Sequence, residues 1–183
     1  RQVVAEEQVI LVDADDREIG AMDKLAAHEN GGRRHRAFSV FIVDSRGRWL
    51  LQRRAAGKYH FPGLWTNACC SHPRPGEKTK PAAHRRLREE LGFDCPLAER
   101  FRFEYKAASE AEGLVEHELD HVFTGVFDGE VHPDPAEVGA VRWVESAELD
   151  KETRAHPETF TPWFMLAMAR AREALKCVGS MPA

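Results

Sequence analysis

The segment EKTKPAAHRRLREELGF (residues 77–93) is the most informative for the fold, because it predicts a polar helix with a clearly marked end. Thr79 can cap the helix, and Pro81 suits the first turn, where its missing N–H is not needed. Gly92 permits the left-handed conformation in which many helices end. We therefore predict a helix over residues 79–92.

The charges of this helix admit two interpretations. Carboxylates such as Glu89 and Glu90 can hold a divalent cation, because hard cations prefer oxygen ligands. The alternative is a surface helix with Arg–Glu pairs, since Arg86 and Glu90 are four residues apart. The helix alone leaves both interpretations open.

Composition narrows the class of protein. The chain has 183 residues, 43% apolar and 31% charged, with a net charge of −4, which is typical of one soluble globular domain over residues 1–183. The sequence contains no basic block of the kind that predicts nucleic-acid binding. It also contains no apolar run that reaches the ~20 residues of a membrane span. The segment RQVVAEEQVI (1–10) lacks the apolar core of a signal peptide. Whether targeting residues precede Arg1 is left open by the sequence. We expect a cytoplasmic protein, either a monomer or a weak dimer.

The remaining patterns predict an α+β fold. Strand-like stretches lie at 9–13, 37–44, 48–54, 101–107, 115–127 and 141–145, with helices at 22–29 and 161–176. The strands at 37–44 and 48–54 are expected to form a hairpin around Ser45-Arg46-Gly47. In the last helix, Thr161 is the expected cap, and one face is expected to hold Trp163, Leu166, Ala167 and Arg170.

The stretch TNACCSHP (66–73) places two of the four cysteines side by side. They can belong to a disulfide, a metal site or a reactive thiol. Cys69, Cys70, Cys95 and Cys177 show neither disulfide-framework spacing nor a C-x-x-C pair, so the disulfide is the weakest explanation. In an extended segment adjacent side chains point to opposite faces, so Cys70 is expected to share a face with His72.

A second group of residues has the chemistry of metal ligands. The segment VEHELDHVF (115–123) places Glu116 and Glu118 two residues apart, so a strand directs both carboxylates to one face. With His28, His35 and His72 they form a set of three imidazoles and two carboxylates, which suits Mn, Mg, Fe or Zn. Each residue alone is as easily a surface or core residue.

Two resemblances connect these observations. Residues 71–93 resemble the Nudix box, in which a glycine and a glutamate precede REUxEExGU, with U aliphatic. Two positions depart from the box, because Ser71 stands where it has glycine and Arg86 where it has its first helix glutamate. The resemblance implies a Nudix-like fold with mixed β-sheets flanked by helices, a core at about 33–167, and a degenerate Nudix helix at 79–92.

More specifically, the chain resembles the type 1 isopentenyl-diphosphate Δ-isomerases of isoprenoid biosynthesis. The resembling stretches are KLAAHENGGRRHRAFS (24–39), LLQRRAAGKYHFPGLWTNACCSHP (50–73), RRLREELG (85–92), VEHELDHVF (115–123) and FTPWF (160–164). The implied reaction interconverts isopentenyl and dimethylallyl diphosphate by protonating and deprotonating the alkene. The implied partner is therefore a small allylic or homoallylic diphosphate.

The resemblance also implies roles for individual residues. Cys70 and Glu118 match the catalytic pair, and one divalent metal (Mn²⁺, Mg²⁺ or Zn²⁺) matches the set of His28, His35, His72, Glu116 and Glu118. Glu90 matches a second site, where Mg²⁺ arrives with the diphosphate and the Cys70 main chain assists. The residues matching the substrate site are Lys24, Arg54, Lys58, Arg86, Tyr105 and Trp163.

Two other functions remain as alternatives. A Nudix hydrolase of nucleoside diphosphate derivatives needs a fuller set of box carboxylates and has no use for Cys70. A non-enzymatic domain with a structural zinc at Cys69, Cys70 and nearby histidines is the other alternative. Adjacent cysteines fit such a site poorly, because its ligands are usually separated by two to four residues.

Overall fold

A computed structural model of the chain describes residues 7–176. Within this range nine strands form one mixed sheet, and four α-helices pack against it. The strands are β1 Gln8–Val12, β2 Glu18–Asp23, β3 His35–Val43, β4 Trp49–Arg54, β5 Trp65–Thr66, β6 Cys69–Ser71, β7 Ala98–Ser109, β8 Leu114–Val126 and β9 Val138–Val144. The helices are α1 Lys24–His28, α2 Thr79–Leu91, α3 Ser146–Ala155 and α4 Pro162–Lys176. Cys177 lies outside the described residues.

Strand β3 is the centre of the fold. It pairs in parallel with β8 and antiparallel with β6, and β8 continues into the long antiparallel pair with β7. Its alternate residues serve two cores: Phe38 and Val40 pack with Leu87 and Leu91 of α2, whereas Phe41 packs with α4 and α3. This burial on both faces explains the nearly continuous apolar run AFSVFIV.

The predicted hairpin between residues 37–44 and 48–54 is wrong in its extent. Its turn is present, and the Asp44 carboxylate accepts hydrogen bonds from the N–H groups of Arg46 and Arg48. However, β3 and β4 pair only at Val43 and Trp49. Beyond this pair the strands diverge, because β3 pairs with β8 and β6 whereas β4 pairs with β9 and β5.

Helix α2 follows the prediction except at its first residue. Thr79 is the first helical residue rather than the cap, and Lys78 occupies the cap position without a side-chain hydrogen bond. Gly92 ends the helix with φ of 69°, and its N–H donates to the Arg88 carbonyl. A side chain at Gly92 would also meet the backbone of His132 at 2.8 Å, so this position requires glycine for two reasons.

The C-terminal helix begins at Pro162 as predicted, but it differs from the prediction in the contact of the Thr161 side chain and on its buried face. The Thr161 hydroxyl pairs with the Thr66 hydroxyl, 2.8 Å away, while its carbonyl accepts the Met165 N–H. Trp163 is buried as predicted, but Leu166 is 58% exposed, because the helix buries the face of Phe164, Ala167 and Ala171. Helix α3, which the sequence patterns missed, closes the core beside α4 through Leu149. None of the helices within residues 7–176 is long and apolar enough to cross a membrane.

Candidate active site

One cavity gathers most of the predicted site residues. It is lined by Lys24, Arg54, Lys58, His60, Cys70, Ser71, His72, Arg86, Tyr105, Glu116, Glu118 and Trp163. Of the predicted residues, only His28, His35 and Glu90 do not line it, and all three are buried. The predicted residues thus come together, although they are spread from α1 to α4.

The sheet brings the histidines and carboxylates together. In the parallel pairing of β3 with β8, His35 lies directly opposite Glu118. Glu116 and Glu118 are two residues apart on β8 and both are buried, so their carboxylates lie on one face, as the Glu-x-Glu spacing predicted. His28 enters from the end of α1, which Asp23 caps by accepting the Ala26 N–H.

These residues form a cluster with the chemistry of a metal site. One donor atom from each of His28, His35, His72, Glu116 and Glu118 can be chosen so that all five lie within 4.8 Å of one another. The Nε2 atom of His28 is 3.0 Å from Glu116 Oε2, and the Nε2 atom of His72 is 3.0 Å from Glu118 Oε1. Three imidazoles and two carboxylates are ligands that divalent transition metals accept.

The hydrogen bonds of the cluster leave suitable atoms free. The Nδ1 atoms of His28 and His35 lie 2.6 and 2.8 Å from the carbonyl oxygens of Lys24 and Arg33. A histidine that donates through Nδ1 presents Nε2 as a ligand. Within the described residues, the Nε2 atoms of His28 and His35 and Oε2 of Glu116 are buried without a hydrogen-bond partner. Buried polar atoms rarely stay unpaired, so the cluster fits a bound divalent ion.

Electrostatics also suit ligation. Burial lowers the pKa of His72 to about 4, so its imidazole is neutral at physiological pH. Burial opposes ionisation of Glu116, but the Glu118 carboxyl and the imidazoles of His28 and His60 beside it hold its pKa well below the ordinary value. Burial and the charge of Glu116 raise the pKa of Glu118, yet the imidazoles of His35 and His72 beside it outweigh them and lower it.

Cys70 faces the cavity and is held from several sides. Its thiol donates to Asn67 Oδ1 at 3.0 Å, and the Trp163 indole N–H donates to its sulfur at 3.0 Å. Asn67 is in turn fixed because its amide donates to two backbone carbonyls, those of Val40 and Cys69, at 2.9 Å each. Burial raises the pKa of Cys70 to about 12, so the thiol carries its proton at neutral pH.

Cys69 points the other way, as the alternation along an extended segment predicted. It is fully buried, and its thiol donates to Glu90 Oε2 at 2.9 Å. Within the described residues neither cysteine belongs to the histidine–carboxylate cluster, and both are free thiols. The two thiols contact different groups, so the geometry does not support a structural zinc shared by them.

Four basic side chains give the cavity positive charge. Lys24 pairs with Glu7 at 3.1 Å, and Lys58 pairs with Glu137. Arg54 lies 5.4 Å from the Trp163 ring, while Arg86 contacts Glu89 and Glu90 at 2.7 and 2.9 Å, respectively. The buried Nε atoms of both arginines have no hydrogen-bond partner among residues 7–176. Four cations in one pocket suit an anionic ligand.

The aromatic side of the cavity meets the carboxylate side at Tyr105. The Tyr105 hydroxyl donates to Glu118 Oε2 at 2.6 Å. Its ring centroid is 6.2 Å from that of Trp163, and Phe61 packs against Trp163 at 5.6 Å. These three rings form a small apolar cluster beside Cys70, which suits a hydrocarbon group.

Glu90 is placed differently from the other predicted residues. It is only 4% exposed, on the buried face of α2, and does not line the cavity. Its oxygens contact the Arg86 guanidinium at 2.9 Å and the Cys69 thiol at 2.9 Å. Both oxygens therefore have partners, and a cation there has to displace Arg86.

Sequence reasoning missed three polar residues of the site. Asp120 continues the alternation of Glu116 and Glu118, which was the signal for it, and accepts a hydrogen bond from Ser39 at 2.7 Å. Burial, followed by the charge of Glu118, raises the pKa of Asp120 well above its ordinary value. Asn67 stood beside the cysteine pair in TNACC, whereas no local pattern distinguished His60 from other histidines.

The fold and the site together define a class. The model of the NUDIX domain matches residues 33–164, and a MutT protein from Methanosarcina mazei has a similar fold, with a TM-score of 0.63 at 21% identity over 77% of this chain and 95% of that one. The chain is therefore a NUDIX-domain protein with a buried histidine–carboxylate cluster beside a thiol.

Relatives of higher identity narrow this class. The chain is 50% identical to isopentenyl-diphosphate Delta-isomerase 2 of Aromatoleum aromaticum, over 90% of this chain and 86% of the relative. It is also 50% identical to the isopentenyl-diphosphate Delta-isomerase of Serratia proteamaculans, over 89% of this chain and 90% of the relative. The chain belongs to the isopentenyl-diphosphate Delta-isomerase family, which confirms the predicted resemblance and the α+β Nudix fold.

Proposed function

We propose that the protein interconverts isopentenyl diphosphate and dimethylallyl diphosphate by proton addition and removal at the alkene. The observation that carries this proposal is the placement of Cys70 and Glu118 in one cavity together with four cations and two aromatic rings. Its relatives are named for this isomerisation.

Cys70 and Glu118 are the groups that exchange protons. The Cys70 thiol holds its proton at neutral pH, and Asn67 and Trp163 fix the position of the sulfur. Glu118 is fixed by Tyr105, whose hydroxyl donates to Oε2. Because the Cys70 thiol carries a proton and the pKa of Glu118 is lowered, we assign delivery of one proton to the alkene to Cys70 and removal of the other proton to the Glu118 carboxylate that Tyr105 holds. Transfer back from Glu118 to the thiolate restores both groups, and the reverse reaction uses the same two groups.

The aromatic residues stabilise the charge that appears on the substrate. Protonation of an unactivated alkene produces a tertiary carbocation, which water would trap. Trp163 is 3% exposed and Tyr105 is 5% exposed, so this part of the site is dry. A desolvated aromatic face attracts a cation with about 2 kcal/mol or more.

The basic residues bind the diphosphate, which does not react. Arg54 and Arg86 each keep a buried Nε that lacks a partner within the described residues, and Lys24 and Lys58 line the same cavity. Binding of the diphosphate holds the alkene between the two proton-exchanging groups, so the free energy of binding compensates for the entropy lost in orienting the substrate.

The cluster of His28, His35, His72, Glu116 and Glu118 would hold one divalent ion, with Mn²⁺, Mg²⁺ and Zn²⁺ as candidates. When bound, such an ion withdraws charge from Glu118 and restricts its orientation. The predicted Mg²⁺ at Glu90 has less support, because Arg86 and Cys69 already occupy the carboxylate. Mg²⁺ that accompanies the diphosphate requires Arg86 to release Glu90.

The test is incubation of the purified protein with isopentenyl diphosphate and Mg²⁺, followed by detection of an acid-labile allylic product. We expect product from the wild type and none from Cys70→Ala. Release of phosphate from nucleoside diphosphate derivatives, without allylic product, would favour a Nudix hydrolase instead. The structure argues against that alternative, because Arg86 pairs with Glu89 and Glu90, the carboxylates that a hydrolase needs for metal binding.

A further inference from the structure

His60 is a buried histidine of the cavity that lies outside the five-donor cluster. It is 4% exposed, and its Nε2 atom contacts Glu116 Oε1. The other oxygen of Glu116, Oε2, is 3.0 Å from His28 Nε2. The ring centroids of His28 and His60 are 4.9 Å apart, so Glu116 lies between two neighbouring imidazoles.

The loop that carries His60 is held in a conformation that a side chain rarely adopts. Phe61, the next residue, has φ of 47°, in the left-handed region that non-glycine residues avoid. Three contacts hold this conformation: Arg54 donates to the His60 carbonyl at 3.1 Å, the Phe61 N–H donates to Ser109 Oγ at 3.3 Å, and the Phe61 ring packs against Trp163. A strained backbone that several contacts maintain is often found where a side chain must be aimed.

The two oxygens of Glu116 have different surroundings. Oε1 contacts His60, whereas Oε2 is buried without a hydrogen-bond partner among the described residues. A carboxylate has two equivalent oxygens, and a donor that holds one of them determines where the other points. Here the free oxygen is the one beside His28, inside the metal-ligand cluster.

We propose that His60 is a positioning residue, whose Nε2–H holds Oε1 of Glu116 and thereby directs Oε2 at the metal position. The inference rests on the metal site of the proposed function. Partners that orient a ligating carboxylate typically change metal affinity by 10–100-fold when they are removed. His60 acts through Glu116, since its Nε2 is occupied by this contact.

The test measures metal affinity rather than turnover. Metal-free wild type, His60→Ala and His60→Gln are titrated with Co²⁺ against a competing chelator, and the visible Co²⁺ spectrum is recorded. We expect His60→Ala to bind Co²⁺ roughly 10–100-fold more weakly. His60→Gln is expected to recover most of the affinity, because its amide can still donate to Glu116.

Two further variants make the result interpretable. His84→Ala is the matched control, because His84 pairs with Asp94 away from the cavity, and its affinity should equal that of the wild type. His72→Ala removes a ligand of the cluster and should lose Co²⁺ binding altogether. Thermal unfolding of each metal-free variant shows whether it is folded. If His60→Ala is unfolded, His60→Leu replaces it, because leucine fills the space without a hydrogen-bond donor and should show the same weakened Co²⁺ binding.

The outcomes separate this inference from the function on which it rests. Wild type that binds no divalent ion would overturn the metal site itself. Wild-type binding with unchanged affinity in His60→Ala would overturn only the role of His60. If the Ala and Gln variants lose metal affinity equally, and one fewer nitrogen couples to bound Mn²⁺ or Cu²⁺, His60 is a direct ligand. That result would contradict the positioning role.

Discussion

Replacing Cys69 by alanine should weaken the fold without removing Cys70, the thiol that we propose to be catalytic. The Cys69 side chain is fully buried against α2, and its thiol donates to Glu90 Oε2 at 2.9 Å. Burial and the charge of Glu90 raise the pKa of Cys69 well above the usual value, so the thiol keeps the proton that it donates. Without this donor, the partner that Oε2 retains among residues 7–176 is the Gln52 amide at 3.5 Å, which is beyond a normal hydrogen-bond distance.

The expected loss has two parts. A hydrogen bond to a charged group contributes about 1.5–3 kcal/mol, and the lower end applies because a thiol is a weak donor. The sulfur removed from the core adds about 1 kcal/mol through lost burial and a small cavity. Together they predict a decrease of about 2–3 kcal/mol in the free energy of unfolding. For a chain of this size that is roughly 5–10 °C in Tm.

Urea and thermal unfolding of Cys69→Ala, Cys69→Val and Cys95→Ala measure this directly. Valine restores volume without a donor, so Cys69→Val should lose only the hydrogen-bond part. Cys95 is half-buried and serves as the control for removing a thiol elsewhere. Turnover of Cys69→Ala should stay close to the wild-type value, since Cys69 does not line the cavity. Unchanged stability in both Cys69 variants would show that the contact with Glu90 does not stabilise the fold.

Three further predictions concern the cavity. Cys70→Ala should abolish isomerisation while the circular dichroism spectrum and the metal content stay at wild-type values. An epoxide analogue of the substrate should label Cys70 and spare Cys69 in peptide mapping. An active Cys70→Ala variant would show that Cys70 is not the catalytic thiol. His72→Ala should lose both bound metal, measured by elemental analysis, and activity, because it removes one of the five proposed ligands. Full activity without metal would contradict the proposed site. Arg86→Gln should raise KM for the diphosphate more than it lowers kcat, since a cation is lost from the anion pocket, and a KM equal to that of the wild type would exclude Arg86 from substrate binding.

Features of the site that depend on neighbouring residues could be predicted from the sequence. Gly92 marked the end of α2, because only glycine readily adopts the left-handed conformation required there. The two-residue spacing of Glu116 and Glu118 predicted their common face, and the same alternation separated Cys70 from Cys69. These inferences succeed because capping and side-chain alternation are local properties of the backbone. The histidines could be selected from the nine in the chain only with the help of the family resemblance.

The tertiary structure decided which distant residues meet. The parallel register of β3 with β8 brings His35 opposite Glu118, and no pattern in either strand specifies that register. The divergence of β3 and β4 likewise follows from their pairing with other strands, not from the turn between them. His60 is the clearest case: its place beside Glu116 depends on the left-handed backbone of Phe61, which contacts with Ser109 and Trp163 maintain. Such positions are set by long-range packing, because the energy that maintains them comes from residues far along the chain.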